Sequence, residues 1–448
     1  MEDNSSINIS FKRIQQLAIP AIIAGIAEPV LSSTDAAIVG NMDAYSTESL
    51  AAVGIVGAFL SSLIWILGQT RSAISAVISQ NLGAGKLDDI KVLPAQAVYF
   101  NIILSFIVLG STYFFAEEIF RVLKAKGMIL DLSLEYYNIR VWGFPLTLFT
   151  FAIFGIFRGL QNTFWPMIVA MSGALINIGL DFVLVYGVED VITPMGIKGA
   201  AWASLISQIF MAIMALIFVL IKTDVSLRLR FPLHKEINRL IGMSLNLFVR
   251  SLSLNIAIVL AVKEATALGK ETIAAHTIAA NIWLFTAFFI DGYGAAGNVL
   301  GGRLLGAKSY KDLWTLTKRL NLYNLVVAGL LMITAFLFYK SSGLLFSKDE
   351  SVLEIFYTVF FIVILMQPLN SITFTLDAIF KGLGETAYLR NTLLSATFLG
   401  FIPMIYLSKY MGWGLTGIWI AFVVWMFIRT GALIIKYHNT YYKLAKRN

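Results

Sequence analysis

Twelve runs of mostly apolar residues, each close to the length of a bilayer-crossing helix, leave this chain few ways to fold. They cover residues 14–39, 50–79, 92–115, 137–157, 164–186, 200–221, 240–262, 273–300, 320–339, 352–380, 392–407 and 417–435. A spanning helix needs about twenty predominantly apolar residues, and the second, eighth and tenth runs exceed that, which predicts tilt or protrusion beyond the lipid. No run alternates polar and apolar residues as a transmembrane strand would. Only 13% of the 448 residues are charged and 58% are hydrophobic, whereas soluble domains hold about 25% charged residues. With a mean hydropathy of +0.79, the solvent that suits this chain is lipid, and the fold class is an all-α polytopic membrane protein.

The same composition excludes several chemistries. With no cysteine and three scattered histidines, His234, His276 and His438, the chain offers no thiolate site and no histidine-rich metal site. The first ten residues carry Glu2 and Asp3 rather than a basic stretch and do not read as a cleavable signal. The net charge of +8 is placed by loop, not spread for nucleic acid. Lys222, Arg228, Arg230, Lys235 and Arg239 follow the sixth run, Arg303, Lys308, Lys311, Lys318 and Arg319 follow the eighth, and Lys436, Lys443, Lys446 and Arg447 lie around the C-terminal end. The first connection has Asp43 and Glu48 with no base. Excess positive charge in alternate loops predicts both termini in the cytoplasm, in a cell inner (plasma) membrane.

An internal repeat organises the runs. Leu50-Ala51-Ala52 returns as Ile273-Ala274-Ala275, Leu82-Gly83-Ala84 as Leu305-Gly306-Ala307, Pro145-Leu146 as Pro368-Leu369, and Phe157-Arg158-Gly159-Leu160 as Phe380-Lys381-Gly382-Leu383, always offset by 223. An unchanged offset over four runs predicts two six-helix lobes. They comprise residues 1–221 and 240–448, the latter with the basic tail, joined by a linker at 222–239. Six helices per lobe is an even number, so the lobes are parallel and pseudo-twofold-related; folds of this kind hold substrate near the midplane and work by alternating access.

Ionisable groups retained within such runs are functional candidates, because a carboxylate in mid-membrane costs about 2.5–3.5 kcal/mol on insertion scales. Asp35 lies in the first run, with Glu28 seven residues earlier and so on nearly the same helix face. Asp181 in the fifth run follows Asn177 by four residues, which sets amide and acid side by side. A carboxyl group out of water holds its proton more firmly than one in water and can load and release it near neutral pH; with Asn177, the same oxygens also suit Na⁺. A structural hydrogen bond between helices is the competing reading, and Glu28, followed by Pro29, serves a helix kink equally well. In the second lobe Arg250, Asp291 and Asp377 lie within runs, and Arg250 is expected to pair with one of the two acids. The 14 methionines and 33 phenylalanines suit an adaptable apolar cavity but suit lipid contact as well. No glycine loop of the nucleotide-binding type and no hydrolytic constellation is present, so an enzyme or an ATP-driven pump is not expected.

These residues resemble the MATE (multidrug and toxic compound extrusion) family, in particular its DinF-like branch. The resemblance is carried by Pro20-Ala-Ile-Ile-Ala, Glu28-Pro29 and Asp35-Ala-Ala-Ile-Val-Gly40, by Ala274-Ala-His-Thr-Ile, and by Trp283 through Asp291-Gly292. Leu376-Asp377-Ala-Ile-Phe-Lys-Gly-Leu-Gly384 and Leu389-Arg390-Asn391 complete it. It implies twelve transmembrane helices, no cofactor, and antiport of small organic compounds, cationic or amphipathic, against H⁺ or Na⁺. It also implies a cation site at Asp35, Asn177 and Asp181, joined by a fourth-helix tyrosine for which Tyr136 and Tyr137 are the candidates. Related members export organic acids or phenolics, and a lipid-linked precursor flippase of the same wider superfamily is a further alternative, one that would want a strongly basic cavity. Two lobes in one chain predict a working monomer that needs the bilayer, the coupling ion and its substrate, with no nucleic acid partner.

Overall fold

The computed structural model describes residues 7–42 and 45–447; within these, the side chains of 28–33, 36 and 46 lie outside the description. Runs rich in Ile, Val and Phe, which favour strands in water, are helical here from end to end. In lipid every backbone N–H and C=O must find its partner inside its own segment, which a helix supplies. Among the described residues, nine helices are long and apolar enough to cross a membrane, and two further spans are each made of a bent pair. With the 30-residue first helix they make up the twelve expected.

In chain order the spans are α1 (Phe11–Gly40), α2 (Thr47–Gly83), α3 (Asp88–Phe114), α4 (Met128–Arg140 with Gly143–Gly159), α5 (Phe164–Tyr186) and α6 (Ile197–Lys222). The second half has α7 (Glu236–Ala267), α8 (Lys270–Gly306), α9 (Tyr310–Leu337), α10 (Glu350–Leu365 with Gln367–Gly382), α11 (Thr386–Met411) and α12 (Gly414–Arg447). The sequence leads one to expect α4 and α10 as uninterrupted runs, but they bend by 46° and 50°. Pro145 and Pro368, separated by the repeat offset, sit at the start of the second piece of each. A proline lacks the N–H for the helical bond and crowds the carbonyl four residues back, which bends the helix there.

The repeat also survives as packing. A methyl group on Gly159 of α4 would stand 2.6 Å from Ile78 Cβ and 3.2 Å from the Ser75 carbonyl oxygen of α2. At the equivalent place a methyl group on Gly382 of α10 would overlap the Asn298 carbonyl oxygen of α8. Both pairs are separated by 223, and in each the missing side chain lets two helices approach closely.

By their contacts the helices form two units. Of the described residues, one unit comprises those within Ile23–Ile78 and Lys86–Gly242; the other comprises residues 7–22, Ser79–Gly85 and residues 243–447. The first has a core of Val39, Val56, Phe120, Tyr137 and Val185. The second is built around Phe356, Phe360, Trp419 and Trp425, with a further cluster of Leu247, Leu300, Leu316 and Phe380. Large apolar side chains such as Phe106, Ile107, Leu175, Leu330 and Phe427 point outward, the arrangement of a surface that meets lipid rather than water.

Candidate functional site

Each unit holds a buried cluster of ionisable side chains. In the first, α1, α4, α5 and α6 contribute. Asp35 is 5% exposed, Asn177 2%, Asp181 0%, and Ser204 and Tyr136 are equally buried. Ser204 Oγ of α6 donates to Asp35 Oδ2 (3.3 Å). The Asn177 amide, oriented so that its oxygen accepts from the Ser204 N–H (3.3 Å), donates to Asp35 Oδ1 (3.1 Å). Asp35 therefore has a donor on each oxygen.

Asp181 differs. It faces the Asp35 carboxyl, yet neither of its oxygens meets a hydrogen-bond donor. Two carboxylates present only acceptors to each other, and a buried acceptor without a donor costs about 1–3 kcal/mol. A proton on one carboxyl turns the contact into an O–H···O bond, so a single proton completes the network. Arg140, at the bend of α4, lies within electrostatic reach of Tyr136 and of both acids. Two carboxylates and one guanidinium leave one uncompensated negative charge, which one monovalent cation cancels. No group of three or more acidic, histidine or cysteine side chains with metal-site spacing occurs among the described residues.

The two tyrosine candidates part here. Consecutive helical residues point about 100° apart, so when Tyr136 faces the acids Tyr137 cannot. Its ring packs against Phe120 (5.2 Å between centroids) and Phe59 (6.1 Å), making it a core aromatic. The Glu28 side chain lies outside the described residues.

In the second unit the cluster is centred on Asp377 of α10. Arg250 of α7 donates to Oδ1 through Nη2 (2.7 Å) and Nε (3.2 Å). Lys381 Nζ, one turn along, is 3.2 Å from Oδ2, and Arg429 Nη2 of α12 is 3.8 Å from Oδ1. Arg429 is 2% exposed. Its guanidinium lies over the Trp425 and Phe374 rings (4.7 and 5.8 Å), and Nη2 has no hydrogen bond. Three cations share one carboxylate. Of the two acids expected to pair with Arg250, Asp377 does so; Asp291 of α8 is exposed, feels Lys381 electrostatically, and makes no ion pair among the described residues.

Sequence reading missed Arg140, Ser204, Lys381 and Arg429. Arg429 lies inside the last apolar run, so the reasoning that singled out Asp35 applies to it equally. Lys381 was visible as the repeat partner of Arg158. Arg140 stands four residues after Tyr136, on the same helix face. Ser204 carried no signal, since serine is common in membrane helices for packing alone.

Comparison with known proteins places this geometry. The MatE family model matches residues 20–183 and 246–407, one segment in each half. Protein DETOXIFICATION 43 of Arabidopsis thaliana is 27% identical over 309 residues, covering 68% of this chain and 56% of its own length. The chain likewise spans 58% of Protein DETOXIFICATION 42 from the same plant. Full-length likeness is seen with a probable multidrug resistance protein NorM of Pasteurella multocida, 22% identical over 97% of this chain and 95% of that one. DNA damage-inducible protein F of Escherichia coli is 22% identical, covering 94% and 90%. Among solved structures, MATE in its bent conformation superposes with a TM-score of 0.88 at 22% identity, covering 97% of this chain and 96% of the other. An outward-facing multidrug resistance MATE transporter gives 0.85 at 23%, covering 97% and 96%. With a match in each half and the fold shared from end to end, the chain belongs to the MatE family.

Proposed function

We propose that the chain is a secondary active antiporter that exports small organic molecules in exchange for H⁺ or Na⁺, by alternating access between its two six-helix lobes. In this reading Asp35, Asn177 and Asp181 bind the coupling cation, with Tyr136 and Arg140 beside them. One observation carries it: Asp181 is buried against Asp35 without a donor for either oxygen, an arrangement that one added cation completes and its loss undoes. H⁺ does so as a donor. Na⁺ does so as a centre for the oxygens of both acids, Asn177 and Ser204. The basic loops support a multi-pass protein of the cell inner membrane with both termini in the cytoplasm, acting as a monomer.

The test is transport in proteoliposomes holding purified protein. A cationic dye is loaded, a pH or Na⁺ gradient is imposed, and wild type is compared with Asp35→Asn. Gradient-driven dye movement lost in the variant supports the reading, and the effective gradient names the ion. Equal movement in the variant removes the cation role from this cluster.

A second reading concerns the cargo. Arg250, Lys381 and Arg429 outnumber Asp377 in a buried cluster, and excess buried positive charge favours an anionic guest, such as an aromatic or small organic acid. The same liposomes distinguish the two: movement of an anionic but not a cationic dye selects organic acid export.

A further inference from the structure

The ends of α9 and α12 carry a cluster that the transport reading does not use. At residues His438–Tyr442 the last helix widens into a π-helical turn before its final turn, Lys443–Arg447. Such widenings are rare and recur at functional positions. Along this one, successive tyrosines face different sides. Tyr441 points inward and donates to Glu385 Oε1 at 3.0 Å, while Tyr442 lies against Trp314 of α9, with ring centroids 4.6 Å apart. Trp314 also stacks on Tyr437 (5.9 Å), whose hydroxyl is fixed by the Leu313 carbonyl (3.2 Å) and the Thr317 hydroxyl (2.6 Å). The result is a firmly held aromatic platform.

Two ammonium groups rest on it. Lys318 Nζ stands 5.7 Å from the Trp314 ring centre and Lys446 Nζ 5.1 Å from that of Tyr442. Both lysines are exposed, and neither makes an ion pair among the described residues. Lys311, Lys443 and Arg447 are exposed nearby. The acids of this end are already engaged: Asp312 accepts from Ser309 (2.7 Å), and Glu385 is held by Tyr441 and by Lys436 at 3.7 Å. A solvated charge run would leave its lysines to wander, whereas these are positioned over rings that favour the membrane–water boundary.

We propose that this platform, Trp314 and Tyr442 flanked by Lys318 and Lys446, docks the headgroup of an anionic glycerophospholipid. The inference rests on the cytoplasmic placement of this end given above; its test needs neither transport nor sidedness. The headgroup phosphate sits between the two ammonium groups, and the acyl chains run along the apolar outer faces of α9 and α12.

Purified full-length protein in mild detergent is titrated with phosphatidylglycerol or with phosphatidylcholine of the same chains, and bound lipid is counted by native mass spectrometry. Phosphatidylglycerol is expected to bind in preference. At roughly fivefold per lysine, K318Q/K446Q should weaken it about 25-fold. R228Q/K235Q, which removes the same charge from the interlobe linker, should leave it within about twofold. An unchanged melting midpoint checks that both variants are folded. Three results overturn the proposal: equal binding of phosphatidylcholine, equal weakening by both variants (diffuse charge only), or full displacement by millimolar glycerol phosphate (a free-phosphate site rather than a lipid site).

Discussion

Replacing Asp181 by asparagine should stabilise the protein while abolishing its coupling. In the wild type both Asp181 oxygens are buried without a donor, facing an acid whose own oxygens are already satisfied by Asn177 and Ser204. An amide of the same shape puts an N–H where the missing proton belongs, and a hydrogen bond to a charged acceptor contributes about 1.5–3 kcal/mol. It also removes one of two like charges facing each other out of water. The readout is thermal unfolding of detergent-solubilised protein by intrinsic fluorescence. The midpoint should rise by several degrees. Gradient-driven transport should be lost, because an amide cannot release what it donates. A variant less stable than wild type would refute the argument that these carboxyls meet without a donor.

Two further outcomes follow from the second unit. Asp377→Ala leaves Arg250, Lys381 and Arg429 buried together without their counter-ion and should cost about 3–5 kcal/mol, whereas Arg250→Met keeps two partners for Asp377 and should cost clearly less; melting midpoints give the order. At the start of α10, the Asp349 carboxylate accepts from the Ser351 backbone N–H at 3.0 Å, and the Ser351 hydrogen bonds hold its pKa below the ordinary carboxylate range. A depressed value means the cap's contribution is present above the unfolded carboxylate value, near 3.9, and is lost as pH falls through the folded one. Amide exchange at residues 351–353 should therefore quicken below about pH 4. In Asp349→Ala it should already be fast at neutral pH.

Much of this was legible before any coordinates. The span count follows from run length, because the thickness of a bilayer sets how many apolar residues a helix needs. The constant offset of 223 anticipates that bends recur at Pro145 and Pro368 and that close glycine contacts recur at Gly159 and Gly382, since equivalent residues meet equivalent neighbours. Asp35, Asn177 and Asp181 stood out because an acid in lipid is expensive enough to require a reason. Helical periodicity further brought Asn177 and Asp181 to one face of α5.

What the sequence could not decide is which groups share a cluster, because partners in one cluster come from helices tens to hundreds of residues apart. The alternation of neighbouring tyrosines sends Tyr136 to the acids and Tyr137 to Phe120, and only the rotation of α4 about its axis chooses between them. Arg250 had two candidate partners, Asp291 and Asp377. The approach of α7, α10 and α12 gives it Asp377 and brings Lys381 and Arg429 to the same carboxylate. Composition sees three bases and one acid anywhere along a chain as nearly balanced. Packed within 4 Å of one carboxylate and out of water, they become a concentrated positive charge, because the field of each is no longer screened. Apolar run length and repeat determined the helices; the rotation and approach of those helices decided the chemistry.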